Sequence, residues 1–337
     1  MNIVIHNDRC NLGCTYCLKK VSGKGKEITV ELIEDIFNRY PDEQIDGVTI
    51  NGYEPLMDFD IIKYLILEKK LKVSFTTNGT LAHREIAYFI RDNKDLFEIM
   101  LSLDGDKETT DRNRGEGTYD KIDKELFLNL NATVNMTITR NNINKLGQSI
   151  KHIFALGFSD IKFNLDYTKI FNHYDFVIYI NQLKEIFPLY VFNKIKLPIR
   201  TDIFVSELNK CSLITPKTKR EFRYYDIDGK EYPCFVCQAY GIQEEVNELM
   251  LSCECKDCNI LHLCKNCPGL NKYQAGIFRK YPRNCQMLKA ELWFIYSVLS
   301  YRNFIGLFKM SQFQKDCMTN LYKNCIDEWS LYNEHLI

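Results

Sequence analysis

Cys10-Asn11-Leu12-Gly13-Cys14-Thr15-Tyr16-Cys17 sets three thiols in the spacing Cys-x3-Cys-x2-Cys. Three thiolates on one short loop can hold three corners of an iron-sulfur cube and leave its fourth iron open to a ligand. Structural zinc wants a fourth ligand close by. His6 is the nearest candidate, although a histidine at a strand end is more often a core or hydrogen-bonding residue. A second thiol series comes much later, as Cys255-x2-Cys258-x5-Cys264-x2-Cys267 followed by Cys285, with Cys211, Cys234, Cys237 and Cys253 upstream. Paired Cys-x2-Cys turns suit zinc as well as clusters, so the spacing alone leaves both metals open.

The 14 cysteines sit in a chain of 337 residues that starts without a basic segment leading into an apolar one. In such a context thiols are metal ligands or catalytic groups more often than disulfides. The 44 basic and 44 acidic residues cancel, so no overall field draws nucleic acid or an anionic membrane surface. A composition 45% apolar excludes a disordered chain. No stretch reaches the roughly 18 uncharged apolar residues of a membrane span. A cytoplasmic protein of about two domains is expected.

Something must hold the cysteine loop in place, and the hydrophobic pattern says what. Short β-branched runs at 3–6, 47–51, 73–77, 99–104, 132–138 and 161–165 alternate with helical periodicity at 29–40, 58–70, 82–94, 119–130, 143–156 and 175–187. Six β-then-α units imply a parallel sheet, either a partial barrel or a doubly wound sheet, with ligands at the carboxyl ends of the strands. The polar motifs fall at those ends. The cysteine loop follows the first strand, Asn51-Gly52-Tyr53-Glu54-Pro55 the second, Thr77-Asn78-Gly79-Thr80 the third and Ser102-Leu103-Asp104-Gly105 the fourth. Arg114 and Gly117-Thr118-Tyr119 come next. From about residue 190 the pattern breaks down among glycine, proline and cysteine, where metals would replace a hydrophobic core. A helical pattern resumes at 287–308.

In this order the motifs resemble those of the radical S-adenosylmethionine (radical SAM) superfamily, whose three-cysteine loop follows the first strand of a partial (β/α)6 TIM-type barrel. The resemblance implies that Cys10, Cys14 and Cys17 bind a 4Fe-4S cluster that chelates SAM. Asn51, Gly52, Tyr53 and Glu54 are similar to the family's Gly-Gly-Glu-Pro segment, which receives the methionine amino group, with Tyr53 in place of the second glycine. Asn78 falls in its Thr-Asn-Gly segment. Ser102 and Arg114 would meet the SAM carboxylate, with Asp104 beside them, and Tyr16 takes the position that packs near adenine. Gly229-x4-Cys234, between Cys211 and the dense series, resembles the SPASM domain with its auxiliary 4Fe-4S clusters. By that resemblance Cys211, Cys234 and Cys267 bind one auxiliary cluster, either with three protein ligands only or completed by Cys237, and Cys255, Cys258, Cys264 and Cys285 bind another. The spacing of Cys264 and Cys267 is one residue short of the family's. The implied organisation is a barrel over 1–195, a small cysteine-rich iron-sulfur domain over 196–290 and a helical tail over 291–337.

The chemistry implied is hydrogen abstraction by a 5′-deoxyadenosyl radical, with auxiliary clusters taking back an electron in a net oxidation. The expected substrate is a ribosomally made precursor peptide, matured by a thioether or carbon-carbon cross-link. Formylglycine formation, as in anaerobic sulfatase maturases, is less favoured because those enzymes place an acidic residue where this chain has Phe235. Peptide epimerisation would draw its returning hydrogen from Cys237, Cys317 or Cys325. Outside enzymes, the alternative is a zinc-bound interaction module. Flavodoxin or ferredoxin would supply electrons. A first strand at Asn2 leaves no room ahead of it for a leader-binding domain, so the leader would be recognised by a separate leader-binding protein, by the C-terminal helix or not at all.

Overall fold

The computed structural model describes residues 1–17, 25–166, 169–192, 195, 222–233, 237–238, 241–242, 250–251, 279–280, 285–306, 309 and 312. Six parallel strands run in chain order: β1 (Asn2–Asn7), β2 (Gly47–Gly52), β3 (Lys72–Thr77), β4 (Phe97–Ser102), β5 (Thr133–Ile138) and β6 (Ile161–Leu165). The helices between them are α1 (Val30–Asn38), α2 (Phe59–Leu67), α3 (Glu85–Asp92), α4 (Lys107–Arg114), α5 (Thr118–Lys121), α6 (Lys124–Asn129) and α7 (Leu146–Ala155). The nineteen-residue α8 (His173–Val191) follows β6.

The strand order decides between the two architectures. A doubly wound sheet reverses its order at a switch point. Here the sheet reads β6-β5-β4-β3-β2-β1 without reversal. All the crossovers therefore lie on one face and the sheet coils as a partial TIM-type barrel. A seventh strand, β7 (Phe222–Tyr225), pairs in parallel with the other edge of β1, and β8 (Glu231–Tyr232) returns antiparallel to it. A short parallel pair, β9 (Met250–Leu251) with β10 (Arg279–Lys280), stands apart.

Strand alternation sorts side chains between two faces. Ile3, Ile5, Val48, Ile50, Val73, Phe75, Leu101, Val134, Met136, Ile161 and Phe163 belong to the apolar core under the helices. Their neighbours Thr49, Ser74, Thr76, Asn135, Thr137 and Asn164 line the concave face and are half-buried. Thr49 and Ser74 share a hydrogen bond of 2.7 Å across that face, and Asn164 donates to Asn135 at 2.9 Å. Closed barrels fill this space with branched aliphatic residues. Here neutral hydrogen-bonding groups predominate, with Val4, Met100 and Lys162 at other alternate positions.

The last helix, α9 (Cys285–Phe304), lies along α8. Phe294 meets Tyr190 edge-on at 5.2 Å, and the buried Tyr179 hydroxyl donates to Glu291 at 3.1 Å. Arg302 donates to the carbonyls of Tyr190 and Val191, satisfying acceptors that the end of α8 leaves open. No described helix is long and apolar enough to cross a membrane.

Candidate active site

The motifs converge at the carboxyl ends of β1 to β5. β1 ends in Asn7, whose buried side chain organises the second turn: Asn7 Nδ2 donates to the Glu54 carbonyl at 2.9 Å and the Tyr53 N–H donates to Asn7 Oδ1 at 2.7 Å. The Glu54 N–H reaches back to the Arg9 carbonyl at 3.0 Å, so the turn after β2 is laced to the strand that carries the cysteines. Gly52 has φ +128°, and a Cβ there would run into the Asn7 carbonyl and the His6 ring. Glycine is needed at this close approach. The His6 ring meets Tyr53 edge-on at 5.3 Å.

Glu54 is fully buried. Its carboxyl accepts from Thr77 Oγ1 at 2.7 Å, from the Asn78 N–H at 2.7 Å and from the Leu56 N–H at 3.0 Å. Burial outweighs these donors and raises its pKa to about 7. Among the described residues no cation pairs with it. Asn78 is fixed in turn, donating to Asn11 of the cysteine loop at 2.9 Å and accepting from the Thr80 N–H at 2.9 Å.

Asp104, just beyond β4, is also fully buried and draws five donors. The Tyr16 hydroxyl (2.8 Å), Asn113 Nδ2 (3.2 Å) and Arg114 Nε (3.0 Å) meet one oxygen, while Arg114 Nη2 (2.9 Å) and the Thr137 N–H (3.0 Å) meet the other. Arg114 closes α4, and its guanidinium lies 5.5 Å from the centre of the Tyr16 ring. The Thr15 N–H donates to the Asn113 carbonyl at 2.8 Å. Ser102, the last residue of β4, is buried two residues before Asp104, and its hydroxyl takes no protein partner among the described residues.

The three thiols of the loop lie within electrostatic reach of one another. Burial pushes the Cys10 thiol up to about 11 and raises Cys14, against which the Arg114 charge works in the opposite sense. Among the described residues no three His, Cys, Asp or Glu side chains close on a single metal ion. Three thiols on one loop within electrostatic reach of one another suit a cluster. SAM suits the donor set beside them: Glu54 is a buried acid with no salt-bridge partner among the described residues, the complement of an ammonium, and the Ser102 hydroxyl can donate to a carboxylate. A separate cleft of about 280 Å³ opens at the amino ends of the strands, between Asn2, Gly47, Lys72 and Phe97, away from these groups.

Tyr16, Asn51, Gly52, Tyr53, Glu54, Asn78, Ser102, Asp104 and Arg114 thus gather with Cys10, Cys14 and Cys17 around the strand ends. The sequence reading passed over Asn7, Thr77 and Asn113. Asn7 carried a signal in retrospect, as an amide at the last position of a buried strand. Cys237 is buried. Cys285 opens α9. Cys211, Cys234, Cys253, Cys255, Cys258, Cys264, Cys267, Cys317 and Cys325 lie outside the described residues.

A family model described as the Radical SAM superfamily matches residues 4–135. An uncharacterized protein of Archaeoglobus fulgidus is 30% identical over 141 residues, covering 41% of this chain and 34% of that protein. The cysteine-type anaerobic sulfatase-maturating enzyme of Clostridium perfringens is 28% identical over 180 residues, 46% of this chain and 48% of that one. The matches thus span less than half the length of either relative. Among solved structures, native anSMEcpe with bound AdoMet and Cp18Cys peptide aligns with a TM-score of 0.68 at 21% identity, covering 90% of this chain and 100% of that one. Streptococcus suis SuiB bound to precursor peptide SuiA aligns with a TM-score of 0.57 at 17% identity, covering 80% and 72%. These likenesses establish the fold. The family match runs from the first strand into the fifth, through the turns that bring Glu54 and Asp104 to the thiols, so that residues 4–135 carry a Radical SAM superfamily domain, the domain of enzymes that use S-adenosylmethionine with a 4Fe-4S cluster.

Proposed function

We propose that this enzyme modifies a peptide, and that its product is a thioether or carbon-carbon cross-link in a ribosomally made precursor. The observation that carries the reading is the concave face: the site opens onto Thr49, Ser74, Thr76, Asn135, Thr137 and Asn164, neutral donors and acceptors that suit a polyamide. Two similar folds, anSMEcpe and SuiB, have been solved with peptides bound. When bound, the cluster and SAM supply a radical able to abstract an unactivated hydrogen. This chain's residues do the rest. Cys10, Cys14 and Cys17 hold the cluster, Glu54 and Ser102 receive the ammonium and carboxylate of SAM, and the concave face orients the peptide. Further cysteines from the series at 211–285 hold auxiliary clusters that accept an electron. Flavodoxin or ferredoxin is the electron donor in this reading, and a separate protein binds the leader.

Formylglycine formation is the second reading, favoured by the likeness to the sulfatase-maturating enzyme and opposed by Phe235. Peptides encoded near the gene, incubated anaerobically with the reconstituted enzyme, test both. A cross-link gives a loss of about 2 Da that hydrogen bookkeeping requires, with no aldehyde. An aldehyde trapped by a hydrazide would instead assign formylglycine. An unchanged mass with an inverted stereocentre would assign epimerisation, with Cys237, Cys317 or Cys325 as donor. Zinc in place of iron would remove the enzyme reading altogether.

A further inference from the structure

Three separate tethers join the cysteine loop to one small region of the barrel. The Tyr16 hydroxyl donates to Asp104, the Thr15 N–H donates to the Asn113 carbonyl, and the Tyr16 ring lies against the Arg114 guanidinium. Both tethered residues sit between Cys14 and Cys17. Their anchor is rigid. Asp104 takes the Thr137 N–H of β5 on one oxygen, and α4, which supplies Asn113 and Arg114, is capped at its start by Asp106 and stopped by Gly115 at φ +116°. Arg114 has already filled the side-on edge of its fork with the two Asp104 oxygens, both groups being buried. A buried pair of this kind is fixed, because removing either partner strands the other's charge.

We infer that the Asp104–Arg114 pair is a positioning device for the cysteine loop, holding Tyr16, and through it the Cys14–Cys17 turn, in the shape that receives the cluster. Arg114 serves the loop, and Ser102 is left as the strand-end group for the SAM carboxylate. Asp104 therefore orients the thiols through Tyr16; loss of a partner that orients a ligand directly typically weakens metal binding about 10- to 100-fold. This inference rests on the cluster-binding reading of the loop and is independent of what the substrate is.

The full chain is tested as Tyr16→Phe, Asp104→Asn and Arg114→Lys, each reconstituted anaerobically. Iron and sulfide are counted against a Cys10→Ala/Cys14→Ala/Cys17→Ala variant, which reports the other clusters alone. The readouts are the rate at which a chelator strips the N-terminal cluster, its electron paramagnetic resonance with and without SAM, and SAM affinity per loaded cluster. Tyr16→Phe and Asp104→Asn are expected to lose the cluster at least about 10-fold faster, with SAM affinity per cluster held within about twofold. Arg114→Lys keeps the charge and loses the fork, and is expected to follow Asp104→Asn. A merely structural role would lower the melting temperature and leave the chelator kinetics of the folded protein unmoved. Unchanged kinetics and spectra in all three variants would overturn the inference. So would an Arg114→Lys protein that keeps its cluster and binds SAM about 10-fold more weakly, since that is the signature of a carboxylate ligand. If Asp104→Asn does not fold, Tyr16→Phe carries the test, because it strands no charge. A wild-type protein that takes up no iron at Cys10, Cys14 and Cys17 would defeat the cluster reading itself.

Discussion

A carboxyl group buried among three hydrogen-bond donors, with no salt-bridge partner among the described residues, is pulled two ways, and in Glu54 burial prevails over those donors and the more distant Arg114 charge, raising its pKa to about 7. The ordinary value is 4.5, so the folded protein holds this proton more tightly than the unfolded chain. The stabilisation is complete below pH 4.5 and is lost as the pH rises towards 7. Relative to Glu54→Gln, the SAM-free protein should lose on the order of 3 kcal/mol across that window, measured by denaturant titration at each pH. Equal slopes for the two proteins would show that Glu54 is ionised throughout. An ammonium brought beside it removes the mismatch, so saturating SAM should flatten the dependence.

Among the elements, the strands were legible because each is a β-branched run with its apolar alternate positions under a helix, and all six lie within two residues of the expected limits. The helix expected at 119–130 is instead two short ones, α5 and α6, and α4 was passed over altogether. Lys-Glu-Thr-Thr-Asp-Arg-Asn-Arg has no apolar stripe, so periodicity cannot see it. Its ends did carry a signal: Asp106 accepts the Thr109 N–H at 2.9 Å, and a left-handed glycine follows. The position of Arg114 depends on that helix, which is why its pairing with Asp104 was not foreseen. The apposition of α8 and α9 was equally invisible, since nothing local in two helical patterns over a hundred residues apart says that they meet. Phe294 is 1% exposed at their interface, so Phe294→Ala should cost about 3–5 kcal/mol in equilibrium denaturation. A change below about 1 kcal/mol would mean that α9 adds little to the stability of the barrel.

At the scale of the molecule, the proposed function divides the cysteines into a barrel share, Cys10, Cys14 and Cys17, and a later share that would hold auxiliary clusters. Anaerobically purified protein should carry about twelve irons, and the variant lacking the thiols of Cys10, Cys14 and Cys17 about four fewer, by iron and sulfide assay. A total of about eight would reduce the later share to one cluster. The barrel itself has an asymmetry in time as well as in space. Strands β1 to β6 lie side by side in the order in which they are made. A nascent chain can therefore add each strand to the one before it, with short loops to close. Among the described strands β7 alone breaks this rule, crossing back to the far edge of β1, which it can pair only once residue 225 has left the ribosome. Of β1 to β6, the strand that leads into the cysteine loop is the first to be synthesised and the last to pair on both edges. Cluster insertion and the completion of the sheet therefore compete for the same interval of synthesis.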